Sequence, residues 1–292
     1  ANTTGTGNVA IGVAALGANT TSNYNTAIGL DVLQNNTAAD NTGVGRNVLN
    51  ANTTGTKNTA AGALALDANT TADRNTAIGY QSLSGNTTGE RNAAIGTYSL
   101  ILNTTGGDNV AVGDAALYNN STASYNTAVG RSAMSQNTTG ASNVALGYNA
   151  LNSNTTASNN AAVGREALNV NTTGTQNVAI GAYALDAANT DNNTAIGYEA
   201  MTNTTSSSEN VAVGSRALKA HTTGARCTAV GSEAATAITT ADDTTAIGRS
   251  ALAACVTGAR NTAIGSKSLM NCTVSDNTAV GYNALLDCTT GT

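Results

Sequence analysis

The chain of 292 residues contains no Pro, no Trp and no Phe, so Tyr is its only aromatic residue. Without those large fillers a thick globular core is hard to build. Charged residues are only 10 %, with both signs scattered along the chain and a net charge of −5. No basic run exists, so nucleic acid is not an expected partner. No apolar stretch approaches the roughly 18 residues of a membrane span, so this segment is not expected to insert into a bilayer. No signal peptide is visible, and the chain opens within a repeat without Met, as a mature product or an excerpt of something longer would. What is abundant is Ala, Val, Ile, Leu, Thr, Asn and 31 Gly. Low charge with much Thr and Asn is compatible with disorder, but the order of the residues argues against it.

That order is a repeat. Aligned on Asn-Thr-Ala-Ile-Gly, the glycines fall at Gly12, Gly29, Gly45, Gly62 and so on to Gly281, spaced by 17 residues. Three 16-residue exceptions end at Gly45, Gly197 and Gly281. The consensus N-T-A-I-G-x-x-A-L-x-x-N-T-T-G-x-x covers the whole chain, so residues 1–292 are expected to be one continuous array. Each of its seventeen columns is an environment. Column four holds Ile, Val or Leu (Ile28, Val112, Leu146) except for Ala61, and column nine holds Leu or Met (Leu33, Met134) except for Ala235; both are expected to fill the interior. Column two is Thr, Val or Ala, residues that suit a pleated surface. Columns six and seven vary freely, which points to solvent. One unit therefore predicts two short strands, the first through Asn-Thr-Ala-Ile-Gly and the second through Ala-Leu, with Gly and Asn-Thr-Thr-Gly at the corners. The expected fold is all-β: a parallel β-solenoid, or β-roll, of about seventeen coils at ~4.8 Å, a rod on the order of 80 Å long. The lack of Pro fits strands that donate to both neighbours.

Two columns of small residues raise the question of assembly. Column three is Ala except for Gly43, and column eight is Ala or Ser except for Val32 and Val48. If column four points inward, column three points outward, and its restriction to a methyl implies a close subunit contact, most simply in a trimer. The competing reading is a narrow lumen in a single chain, lined by the small residues. Ala1 falls in column eleven and Thr292 in column sixteen, so no polar cap is evident and end-to-end stacking into a filament is a further expectation.

Column twelve is Asn at Asn2, Asn19, Asn36, Asn52, Asn69, Asn86, Asn103, Asn120, Asn137, Asn154 and Asn171, then becomes Ala188, Thr204, His221, Ile238, Cys255, Cys272 and Cys288. Exchange with Ile and Ala indicates an inward corner, where stacked amides from Asn19 to Asn171 form a structural ladder. Inward Asn side chains are closed to glycosylation despite their Asn-Thr-Thr sequons. Cys255, Cys272 and Cys288 share this column on adjacent coils; free buried thiols are favoured over disulfides, because the ~4.8 Å coil spacing exceeds the usual Cβ separation of about 3.5–4.5 Å. Cys227 lies in column one. No zinc-type spacing, fixed acidic column or calcium-binding repeat is present, and the lone His221 breaks no constellation, so no metal, cofactor or catalytic residue is expected.

The run Asn75 to Leu83, NTAIGYQSL, resembles the head repeats of YadA-like trimeric autotransporter adhesins and the Asn-Thr-Ala-Ile-Gly-Tyr arrays of phage and bacterial tail-fibre-like proteins. The resemblance implies a trimer of left-handed parallel β-rolls, surface exposed, used for adhesion or as a spacer. The unit is longer than the usual head repeat, and no stalk, neck or membrane anchor is seen. The expected function is the rod or head of an extracellular fibre at a cell surface or on a virion: an adhesin, tail fibre or surface filament. Its expected partners are further copies of itself and a host-surface glycan or protein, to which Tyr80, Tyr148, Tyr198 and Tyr282 in column six offer contact points. The alternative is an ice-binding solenoid, based on the Thr of columns two, thirteen and fourteen.

Overall fold

The computed structural model describes residues 2–289; the terminal positions Ala1 and Thr292, on which the stacking expectation rests, lie outside them. The chain is an all-β, parallel β-solenoid, and its residues group into two compact units, Ala1–Asn143 and Val144–Thr292. In the first unit the strands are β1 (Val9–Ile11), β2 (Thr26–Ile28), β3 (Thr42–Val44), β4 (Thr59–Ala61), β5 (Thr76–Ile78), β6 (Ala93–Ile95), β7 (Val110–Val112) and β8 (Thr127–Val129). In the second they are β9 (Val144–Leu146), β10 (Ala161–Val163), β11 (Val178–Ile180), β12 (Thr194–Ile196), β13 (Val211–Val213), β14 (Thr228–Val230), β15 (Thr245–Ile247), β16 (Thr262–Ile264) and β17 (Thr278–Val280). Within each unit consecutive strands pair in parallel with like columns opposed, as in Ala93↔Val110 and Ala161↔Val178. The shortened units keep this register (Thr26↔Thr42, Val178↔Thr194, Thr262↔Thr278) because each lacks its residue in the corner between columns thirteen and seventeen.

The strand is three residues long because the column-five glycine ends it. Gly96 has φ +134°, and a Cβ built there would lie 2.5 Å from the carbonyl oxygen of Gly113 on the next coil, so only Gly lets the coils stack.

The expected second strand does not form. Ala-Leu lies in a run of turns in which columns seven and nine, such as Tyr98 and Leu100, take left-handed φ values of 57° and 50°. Alternating hand curls the backbone so that adjacent columns eight and nine both face inward, which an extended strand with its two-residue period cannot do. These turns still ladder from coil to coil: Leu100 N–H donates to Ala116 O at 3.0 Å, and Tyr98 N–H to Tyr80 O at 3.1 Å. That repeated bonding holds non-glycine residues in a conformation that costs each roughly 1–2 kcal/mol.

The strand also faces the other way from the expectation. Ala27, Ala94 and Ala179 of column three are fully buried, whereas Ile28, Ile95 and Ile180 of column four are 37–41 % exposed. Columns three and eight are small because they meet across a narrow interior whose large filler is the column-nine Leu. The exceptions prove the contact. A Cβ on Gly43 would lie 2.6 Å from Val32 Cγ1 and 3.3 Å from Val48 Cγ1, so the one glycine of column three makes room for the two valines of column eight. The small columns therefore line the lumen of one chain and are not a subunit contact.

Candidate functional surfaces

Three features repeat along the coils. The first is the polar seam along the corner. In the first unit Asn52 Nδ2 donates to Asn36 Oδ1 at 2.7 Å, and Asn69, Asn86, Asn103, Asn120 and Asn137 each donate in turn to the preceding amide oxygen at 2.7–3.2 Å. In the second, Asn171 donates to Asn154 at 3.4 Å. The same Nδ2 groups reach the column-fifteen carbonyl three residues on, as Asn103 does to Gly106 at 2.9 Å. Asn19 bonds Ser22 O in this way, but its Oδ1 has no partner. All ten residues from Asn19 to Asn171 are buried, which closes their sequons to a glycan.

A second seam, not singled out in the sequence, runs through the Asn of column one. Asn92 Nδ2 bonds the same Gly106 carbonyl at 2.8 Å, while Asn92 Oδ1 accepts from Asn109 N–H at 3.0 Å. Where columns one and twelve are both Asn, the column-fifteen carbonyl thus receives two amides, filling both lone pairs. The signal was available: Asn opens nearly every unit, although a strand start does not by itself require it.

Residues that replace Asn follow the same logic. His221 Nε2–H donates to Gly224 O, and Cys227 S–H donates to Ala241 O at 3.1 Å, each where an amide would. Cys255 and Cys272 S–H point at Gly258 O and Val274 O at 3.6 and 3.3 Å. Cys288, half-buried, lies 3.6 Å from Asn277 Oδ1. All four cysteines are free thiols, and burial pushes Cys227 and Cys272 up to about 11. Ala188 brings no donor, and Asn171 Oδ1 is left without a partner. Burial also pushes His221 below the ordinary imidazole value, opposed by its bond to Gly224. Among the described residues no group of three or more His, Cys, Asp or Glu is placed to hold a metal, and no cavity is found.

The outward strand face is the second feature. Column four projects Ile28, Ile78, Ile95, Ile180 and Ile247, each about 40 % exposed, and column two adds Val110, Val144 and Val211 among the threonines. Size alone points the column-four side chains inward.

The third feature is the turn face of columns six, seven and ten. Tyr80 and Tyr98 meet edge to face at 5.5 Å, and Tyr98 meets Tyr118 at 6.3 Å. In the second unit Tyr183 and Tyr198 meet at 6.3 Å, with Arg165 over Tyr183 at 5.3 Å and Arg216 over Tyr198 at 5.9 Å. Arg216 and Lys219 both bond Glu199, at 3.1 and 2.7 Å, and Lys219 first of all holds that carboxyl down at about 2. Of the expected contact points, Tyr80 and Tyr198 join these clusters, Tyr148 stands 44 % exposed and Tyr282 is exposed at the last described coil. Column seventeen carries forked ion pairs between adjacent coils, Arg91–Asp108, Arg226–Asp243 and Arg260–Asp276, each at 2.6 Å. No helix is long and apolar enough to cross a membrane among the described residues.

Comparison with protein-family models and with curated proteins finds no match.

Proposed function

We propose that this chain is the rod or head of an extracellular fibre, assembled from several copies and acting by multivalent binding rather than catalysis. The observation that carries the reading is the outward strand face. In every coil but that of Ala61, column four presents an Ile, Val or Leu on this face beside a Thr, Val or Ala of column two, making an apolar strip of the kind that marks interaction sites on soluble proteins. The strip repeats at the coil spacing of ~4.8 Å. A partner must share that period to fill it in register, and a second copy of the chain does so at every coil. Three such narrow strips close around a common axis, so a homotrimer is the expected assembly. The resemblance of the repeat to trimeric adhesin heads and tail fibres supports the same reading, with the fibre at a cell surface or on a virion. Sedimentation equilibrium tests the reading: the chain is expected at three times its 28.8 kDa mass. The Ile180→Asp/Ile196→Asp variant, altered at outward positions only, is expected as a monomer. A monomeric parent chain removes the proposal.

A second reading is favoured by one geometric fact. Thr26 and Ile28, or Thr245 and Ile247, sit side by side on the flat outward strand, an arrangement able to order water as ice does. The threonines of column thirteen are less available, since Thr53 and Thr104 already donate to the next coil at 3.0 Å. Thermal hysteresis in a monomeric parent chain would favour this alternative.

A further inference from the structure

Aromatic side chains are placed on this molecule where the fold does not ask for them. Columns six and seven hold Thr97, Ser215, Asp114 and Arg131 as readily as Tyr, so no coil needs a ring there. Yet Tyr148, Tyr183 and Tyr198 fall in these columns on three of four successive coils, and Arg165 fills the coil between the first two. Tyr148 is 44 % and Tyr198 46 % exposed. The rings of Tyr183 and Tyr198 are braced by their edge-to-face contact and by Arg165 and Arg216 lying over them. Rings held this way lose little side-chain freedom when a ligand arrives.

We infer that this strip, Tyr148–Arg165–Tyr183–Tyr198–Arg216 with Glu199, is a binding site for a neutral polysaccharide. The chemistry of the strip selects the ligand class. Tyrosine offers both a face for the apolar side of a sugar ring and a hydroxyl, while guanidinium and carboxylate groups at its margins suit paired sugar hydroxyls. The strip carries little net charge, because Glu199 offsets one of its two partners Arg216 and Lys219, and Arg165 bonds Glu166 at 3.2 Å. A polyanion therefore finds little to attract it. An extended peptide finds no free edge: Tyr183, Glu199 and Arg216 N–H already donate to Arg165, Ala182 and Tyr198 O of the preceding coils at 2.8–3.0 Å, so strand addition is closed. A linear chain of sugars lying along successive coils meets one contact residue per coil.

The inference rests on the fibre reading only in taking the turn face to remain exposed in the assembly, and the experiment separates the two. The full chain is run in native gels containing hydroxyethyl cellulose, galactomannan or polygalacturonate, with its mass followed in parallel by sedimentation. Retardation is expected in the two neutral polysaccharides. The Tyr183→Ser/Tyr198→Ser variant, which uses a residue found in both columns (Ser132, Ser215), is expected to lose at least tenfold in apparent affinity. Tyr24→Ser/Tyr125→Ser, altered in column seventeen, is expected to match the parent. Absence of retardation in both neutral polymers overturns the site, as does a double variant that binds like the parent or a preference for polygalacturonate. If the parent sediments as a trimer while binding fails, only this inference falls.

Discussion

His221 shows how one side chain reads out the polar corner. It stands where most coils place an Asn and keeps the bond to the column-fifteen carbonyl, but its Nδ1 is buried without a partner. Protonating that atom creates a charge away from water, which is why the imidazole sits below its ordinary value of 6.5. The folded chain therefore binds fewer protons than the unfolded one as pH falls through that range, and stability declines. The contribution is fully present above the ordinary value and lost below it, at no more than about 1.4 kcal/mol per pH unit. Urea unfolding between pH 7.5 and 5 is expected to show the decline, and the His221→Asn chain is expected to lack this component. The cysteines of the same seam give a second readout. Cys227, Cys255 and Cys272 are buried and Cys288 is half-buried, so one thiol is expected to react promptly with a maleimide and the other three only in denaturant. Four prompt thiols would contradict the inward corner.

At the level of the coil, volume is conserved between facing columns. Gly43→Ala puts a methyl 2.6 Å from Val32 Cγ1 and is expected to cost about 1–3 kcal/mol by overpacking. Restoring the consensus with Val32→Ala and Val48→Ala is expected to recover most of that loss, so a double-mutant cycle should report coupling of at least ~0.5 kcal/mol. Additive changes would mean that columns three and eight do not share one space. Ala235 and Ile238 show a related exchange: the coil that lacks a Leu in column nine carries its large buried side chain three residues later. Much of the coil was legible in the sequence. Tandem spacing gave the parallel pairing, the position of the first strand and the buried Leu, and the Ile and Ala at positions 238 and 188 pointed column twelve inward. The facing of Thr-Ala-Ile was not legible, because alternation leaves two registers and bulk favoured the wrong one. Gly43 against Val32 and Val48 held the answer, but only for a reader who paired the exceptions. The false second strand has a different cause: left-handed backbone is carried here by ordinary residues such as Tyr98 and Leu100, which no local rule marks.

For the whole molecule, turning Thr-Ala-Ile around changes which side chains face outward. Small residues close each coil upon itself, and the branched residues of column four stand on the outer face. The side chains then divide by place: polar seams and small side chains inside, branched residues on the outer strand face, and a variable turn face where tyrosine and arginine gather. Of these, the strip was misread from sequence and the column-six tyrosines were noticed singly. Their neighbours Tyr98, Tyr118 and Tyr183 sit in other columns and become partners only through the curl of the turns.

The column-five glycine has one more consequence. Within each unit the next coil's carbonyl occupies the place of a side chain at this glycine, as at Gly79 against Gly96 and Gly197 against Gly214, so the coils share one backbone socket whatever their other residues are. A gene encoding such an array can gain or lose whole units by recombination between any two of these glycines, and the joint would meet a matching socket each time. Slippage by a fraction of a unit would set a branched residue against that carbonyl. Changing the number of coils or the residues of their turns would leave that joint intact, whereas a side chain at the glycine would meet the next coil's carbonyl.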